Sequence, residues 1–241
     1  MKRKLIFITI VSAILLIGVL SFTSGKPADN DDVIVSYIAD PQKQDIQLYW
    51  KDDKGTILQS IQNLKDYLGS KGKKLVFAMN GGMFMTNNAP LGLFIQEQRV
   101  VNGLNTASGE GNFYLKPNGV FYITNANKAV VCTSSDFVNN NVKYATQSGP
   151  MLVVDGEIHP AFKKGSANLN IRNGVGILAD NRIVFAMSKE EINFYDFALF
   201  FKNLGCKNAL YLDGFVSRMY LPEKDQLQTD GDFGVIIGIS E

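Results

Sequence analysis

An uninterrupted apolar run, Leu75-Val76-Phe77-Ala78-Met79, stops abruptly at Asn80-Gly81-Gly82-Met83-Phe84. Five apolar residues ahead of a glycine pair predict a buried strand that ends in a loop whose backbone angles are closed to other residues. Such a loop lets a ligand approach the backbone, and Asn80 beside two N–H groups offers neutral donors to a phosphate or a sugar hydroxyl. An Asn-Gly pair is also a common tight turn, so this segment alone leaves a plain turn open.

The pattern around it predicts many short strands and few helices. Val33 to Ala39 and Asp45 to Trp50 form a strand pair about Asp40-Pro41. An amphipathic helix follows, with Ile57, Leu58, Ile61, Leu64, Tyr67 and Leu68 at helical spacing and Gly69 at its end. Further short strands are expected at Gly92 to Gln96, Arg99 to Val101, Asn112 to Leu115, Val120 to Ile123 and Ala129 to Cys132. Met151 to Val154, Asp155-Gly156 and Glu157-Ile158 read as a hairpin, and Arg182 to Met187 as a strand. Ser188 with Glu191 fits a capping box for a second helix reaching Leu204 and Gly205. Ala209 to Leu212 and Phe233 to Ile239 complete the set. The expectation is one α+β, β-rich domain over residues 33–241, with a mixed or antiparallel sheet and at least two flanking helices.

Residues 1–25 carry Lys2, Arg3 and Lys4 ahead of 18 uncharged, largely apolar residues from Leu5 to Phe22. That is an export segment, long enough either for a cleaved signal peptide or for a membrane anchor, and residues 26–32 read as a linker. The rest of the chain is then expected outside the cytoplasmic membrane: periplasmic, extracellular or anchored facing outward. Without this segment the 24 basic residues fall to 21 against 23 acids. Charges of both signs are interspersed, which argues against a nucleic-acid partner. Cys132 and Cys206 are too far apart in sequence to decide between a disulfide and free thiols.

His159 is the only histidine, expected to be exposed ahead of Pro160, and this removes several chemistries. A Ser-His-Asp site would have to use it, and Ser148 lacks the glycine two residues earlier that a nucleophile elbow needs. A zinc site of several His or Cys ligands is hard to build from one histidine and two distant cysteines, and neither a metal nor a cofactor is expected. Gly174-Val175-Gly176 continues into strand character rather than a helix, so it is no dinucleotide fingerprint.

Four glycine-interrupted segments remain: Asn80-Gly81-Gly82, Gln147-Ser148-Gly149-Pro150, Arg172-Asn173-Gly174 and Leu212-Asp213-Gly214 with Ser217 and Arg218 behind it. Each places a polar side chain near a strand end. If they meet, a carboxylate, a guanidinium and several amides suit a sugar and an anion better than an apolar ligand.

With Phe84, Pro90-Leu91-Gly92-Leu93 and Gly109-Glu110-Gly111-Asn112-Phe113 in order between them, these segments resemble the phosphodiester glycosidase family, and within it the short bacterial members. The resemblance spans about Val33 to Ser240. It implies an exported hydrolase that cleaves a sugar-1-phosphodiester to free sugar and phosphomonoester. Asp213 is then the expected nucleophile or base, Glu110 the second carboxylate, and Arg172 a bidentate phosphate ligand. Asn80, Gly81, Gly82, Gln147, Ser148, Gly149, Asn173, Gly214 and Ser217 are expected to bind substrate. Many members carry small residues after the Asp, whereas this chain has Phe215 and Arg218, which are expected to narrow the cleft. The expected partner is a carbohydrate or sugar phosphate, with membrane contact only through an uncleaved N-terminal segment. A non-catalytic envelope module binding phosphorylated glycan and a glycosidase acting on neutral glycan are the alternatives.

Overall fold

The computed structural model describes residues 33–241, so the expected leader over 1–25 and the linker over 26–32 lie outside the described residues. In chain order the elements are β1 (Ile34–Ala39), β2 (Asp45–Tyr49), α1 (Ile61–Ser70), β3 (Leu75–Asn80), β4 (Phe94–Gln96), β5 (Arg99–Asn102), β6 (Gly119–Thr124), β7 (Ala129–Thr133) and β8 (Val142–Ser148). They continue with β9 (Met151–Val154), β10 (Glu157–Ile158), β11 (Asn173–Ile177), β12 (Ile183–Ser188), α2 (Phe194–Asn203), β13 (Ala209–Tyr211), β14 (Met219–Leu221), β15 (Gln226–Leu227) and β16 (Ile236–Ser240).

The α+β class expected from the sequence is present, but the strands divide among three sheets rather than one. Their orders are β1-β12-β11-β13-β9-β10, β15-β14-β3-β16-β2 and β5-β4-β8-β6-β7. The pairings are antiparallel throughout. The inner faces of all three sheets share one core, where Phe77 stacks on Tyr37 at 4.8 Å and on Phe185 at 5.1 Å between ring centroids.

Side chains alternate across each strand, and here both faces are covered. Phe77 and Met79 enter the shared core while Leu75 and Ala78 face α1. Ile183 and Phe185 enter the core while Val184 and Ala186 face α2. Burial on both sides is why these strands read as continuous apolar runs rather than as an apolar/polar alternation. No helix among the described residues is long and apolar enough to cross a membrane.

Several local expectations are corrected. The first helix starts at Ile61, not Ile57: Ile57 bridges Lys51 in extended form and Gln59 has φ +61°, so the helix begins after its cap, Ser60, whose Oγ accepts the Asn63 N–H at 3.1 Å. The Ser188–Glu191 box does not cap the second helix. Ser188 is the last residue of β12, and its Oγ accepts the Arg172 N–H at 2.9 Å. The cap is Asn193, which accepts the Asp196 N–H at 2.9 Å and donates to the Asp196 carboxylate at 2.7 Å. Asn112–Tyr114 is a 3₁₀ turn rather than a strand, entered through Gly111 at φ +87° and pinned by buried Phe113.

Candidate active site

Strand ends from all three sheets meet at the turn that carries Asp213. Asn80 closes β3 in the second sheet, Asn173 opens β11 in the first, and Ser148 closes β8 in the third. Asn173 Oδ1 accepts the Asp213 N–H at 2.8 Å, and Asn80 Nδ2 donates to the Asp213 carbonyl at 2.9 Å. Ser217 Oγ donates to the same carbonyl at 2.8 Å, and Ser148 Oγ donates to the Leu212 carbonyl. The two asparagines are themselves joined, Asn173 Nδ2 donating to Asn80 Oδ1 and to the Asn80 carbonyl, both at 2.9 Å. Asn80 Oδ1 also accepts the Arg218 N–H at 3.1 Å. Asn80, Asn173 and Ser148 are each at most 1 % exposed, so their polar atoms face protein and not a ligand. The sequence expects these residues to bind substrate, whereas the geometry makes them a clamp on the backbone of the Asp213 turn.

The glycines have the same character. Neither Gly81 nor Gly82 adopts positive φ, so the backbone-angle expectation fails; what requires glycine is close approach. A Cβ on Gly81 would lie 2.8 Å from Ile237 Cγ1, and one on Gly82 would lie 2.6 Å from Thr146 Oγ1. A Cβ on Gly214 would meet the Tyr211 hydroxyl at 2.1 Å and the Ile171 carbonyl at 2.5 Å. On Gly149 it would meet Asn118 Cβ at 2.6 Å and the Phe113 carbonyl at 2.9 Å, so this glycine lets the 3₁₀ turn sit against the end of β8. Gln147 holds the loop leading to Glu110: its Oε1 accepts the N–H groups of Leu93 and Asn105 at 3.0 and 2.9 Å, and its Nε2 donates to the Asn105 carbonyl at 2.7 Å.

The clamp leaves the Asp213 side chain at a cleft of about 330 Å³, which it lines with Glu110, Phe84, Asn112, Tyr114 and Phe215 among others. Two candidate carboxylates far apart in sequence therefore share one cleft. Burial pushes the Asp213 carboxyl up to about 7, against a smaller opposing pull from the Phe215 N–H. Phe215 stands on the rim, 92 % exposed. The expectation that Arg218 narrows the cleft is corrected, because its Nε donates to both oxygens of Asp230, at 2.8 and 2.9 Å.

Arg172 departs furthest from expectation. It is fully buried, its Nε donates to the Ile192 carbonyl at 2.7 Å, and its Nη2 donates to the Asn168 carbonyl and Oδ1 at 2.9 and 3.1 Å. Its Cζ lies 3.6 Å from the Phe194 ring centroid. A guanidinium so engaged cannot grip a phosphate bidentately, and burial lowers its pKa. Tyr211, buried, has its hydroxyl between Arg172 and Gly214; burial first, then Asp213, pushes it up to about 12.

His159 is buried rather than exposed. Its Nδ1 accepts the Ala161 N–H at 3.1 Å, which leaves Nε2–H to donate to the Lys116 carbonyl at 3.0 Å, and burial lowers its pKa. Cys132 and Cys206 are free thiols, the first half-buried and the second buried. No group of three or more His, Cys, Asp or Glu among the described residues is placed to hold a metal ion.

The β-rich scaffold thus brings two acidic side chains, Asp213 and Glu110, to the lining of one cleft. The chain belongs to the phosphodiester glycosidase family, whose model matches residues 73–234. It is 38% identical over 189 residues to the uncharacterized protein YigE of Escherichia coli strain K12, covering 78% of this chain and 74% of that one. Its fold is similar to the catalytic domain of zebrafish N-acetylglucosamine-1-phosphodiester alpha-N-acetylglucosaminidase, auto-inhibited by its pro-peptide. The TM-score is 0.61 at 17% identity, over 90% of this chain and 85% of that one. A hypothetical protein from Synechocystis shares the fold with a TM-score of 0.53 at 14% identity, over 86% of this chain and 59% of that one.

Proposed function

We propose that the protein is a hydrolase that cleaves a sugar-1-phosphodiester, releasing free sugar and a phosphomonoester, and that it works outside the cytoplasmic membrane behind its N-terminal export segment. The observation that carries this reading is Asp213, a carboxyl shifted to about 7 by burial and lining one cleft together with Glu110. A carboxyl perturbed by desolvation at a cleft is a candidate for chemistry, because catalytic acids and bases need shifted pKa values.

A phosphomonoester leaves as a stable anion and needs no proton from the enzyme, so the demanding half of the reaction is the attack of water. Asp213 serves as general base: with its carboxyl near 7 it takes a proton far more readily than an ordinary carboxylate. Water oxygen bonds to the anomeric carbon, the bond from that carbon to the phosphate oxygen breaks with its electron pair going to phosphate, and the water proton passes to Asp213. Glu110 supports the positive charge that develops on the sugar ring in the transition state. The clamp of Asn80, Asn173, Ser148 and Ser217 fixes the turn from which the base acts, keeping the reacting groups aligned.

Asp213→Asn keeps the shape and removes the base. Its kcat on a sugar-1-phosphodiester is expected to fall by roughly 10²- to 10⁴-fold. Wild-type turnover by a folded Asp213→Asn protein would overturn the assignment, and tight binding of intact substrate with no product from the wild type would favour a binding module.

A further inference from the structure

The cleft around Asp213 and Glu110 has two acidic side chains on its wall, and none of its lining residues is lysine or arginine. A phosphodiester needs positive charge that this wall does not supply. Immediately beside it, sharing Asn112, lies a second groove of about 190 Å³ lined by Lys163, Ser166, Asn168, Phe194 and Tyr195 among others. Two of these residues form the front of the Arg172 site: Asn168 accepts from Nη2, and the Phe194 ring covers the guanidinium at 3.6 Å. The hydrogen-bond partners of Arg172, the Ile192 carbonyl, the Asn168 carbonyl and amide oxygens and the Tyr211 hydroxyl, are all neutral groups, so these contacts leave its positive charge in place. A buried cation acts across low-dielectric protein with little screening, and its field therefore reaches this groove.

We propose that this groove takes the phosphate half of the substrate, with Lys163 as its direct ligand and Arg172 acting electrostatically through the groove wall, while the sugar occupies the Asp213–Glu110 cleft. Asn112 lies at the junction, where the scissile oxygen must pass. The proposal rests on the proposed activity and assigns the substrate's anionic part to a place distinct from the reacting carboxylates. It also explains how a phosphate avoids the repulsion of Glu110.

The test uses inorganic phosphate and a panel of hexose 1-(methyl phosphates) with the wild type, Lys163→Ala and Lys164→Ala. Lys164 is exposed on the same turn but is not part of the groove lining. Loss of one charge-assisted contact is expected to weaken phosphate binding and raise KM by on the order of tenfold in Lys163→Ala, with kcat held, and to leave Lys164→Ala unchanged. Turnover of the panel by the wild type with identical KM and phosphate binding in Lys163→Ala would overturn the groove and leave the activity standing. Equal effects of both substitutions would also overturn it, in favour of diffuse attraction. If the wild type turns over no member of the panel yet loses phosphate binding on Lys163→Ala, the groove stands and the proposed activity falls.

Discussion

Asp213 carries the clearest consequence for pH. Its carboxyl sits near 7 in the folded protein against an ordinary 3.8. As a base it must be ionised, so kcat/KM is expected to rise with pH through about 7 and then level off, a profile measured with any turned-over substrate. The stability sign is the reverse. A carboxyl whose folded pKa is raised binds more protons folded than unfolded, so its ionisation destabilises the fold progressively between about 4 and about 7. Asp213→Asn is therefore expected to match the wild type in denaturant midpoint near pH 4 and to exceed it above pH 7, by at most about 4 kcal/mol. The residues most legible from sequence were those beside glycines, because an Asn or Asp at a strand end before a glycine is a local pattern. Their roles were not legible. Asn80 and Asn173 bond each other across 93 positions, and no local pattern records whether an amide faces a ligand or a partner strand. Arg172 shows the same limit: its phosphate-ligand role was expected from its type, and burial behind Phe194 decides otherwise.

At the scale of elements, the strands were legible wherever an apolar run ended in a turn residue, and the helix starts were not. Helix α2 illustrates why. Ser188 and Glu191 satisfy the capping-box spacing, yet the β12 ladder runs through Met187 opposite Val35 and Asn173, and a bridge between Asn170 and Ile192 keeps the chain extended for longer. Pairing with neighbouring strands outweighs a local cap, which contributes only about 1 kcal/mol. The true cap is Asn193, so Asn193→Ala is expected to lower stability by roughly 0.5–2 kcal/mol, while Glu191→Ala at an exposed position stays within about 0.5 kcal/mol. Chemical denaturation of both variants checks the pair. At Asn112–Tyr114 the aromatic pair Phe113 and Tyr114 favours a strand, but Gly111 at φ +87° and the Asn118 amide donating to the Phe113 carbonyl at 3.0 Å turn the chain into a 3₁₀ turn instead. That turn brings Glu110 and Asn112 to the cleft.

The whole molecule is a meeting of three sheets on one core, and the candidate site lies where their strand ends converge. Phe77, stacked between Tyr37 and Phe185, joins the first two sheets, and Phe185 meets Phe121 of the third edge-on at 5.9 Å. Phe77→Ala is expected to cost about 3–5 kcal/mol and to lower the midpoint of one shared unfolding transition, followed by near-UV circular dichroism and tryptophan fluorescence together. Separate transitions by the two probes would show that the sheets do not unfold as one. The sequence by itself determined the α+β class, the order of most strands and the family, because these follow from periodicity, composition and ordered motifs along the chain. Only the tertiary structure decided that there are three sheets, that Asn80, Asn173 and Ser148 hold Asp213 rather than a ligand, and that Glu110 lines the same cleft as Asp213. The reason is physical: strand partners, burial and the dielectric around a carboxyl depend on residues distant in sequence that packing alone brings together.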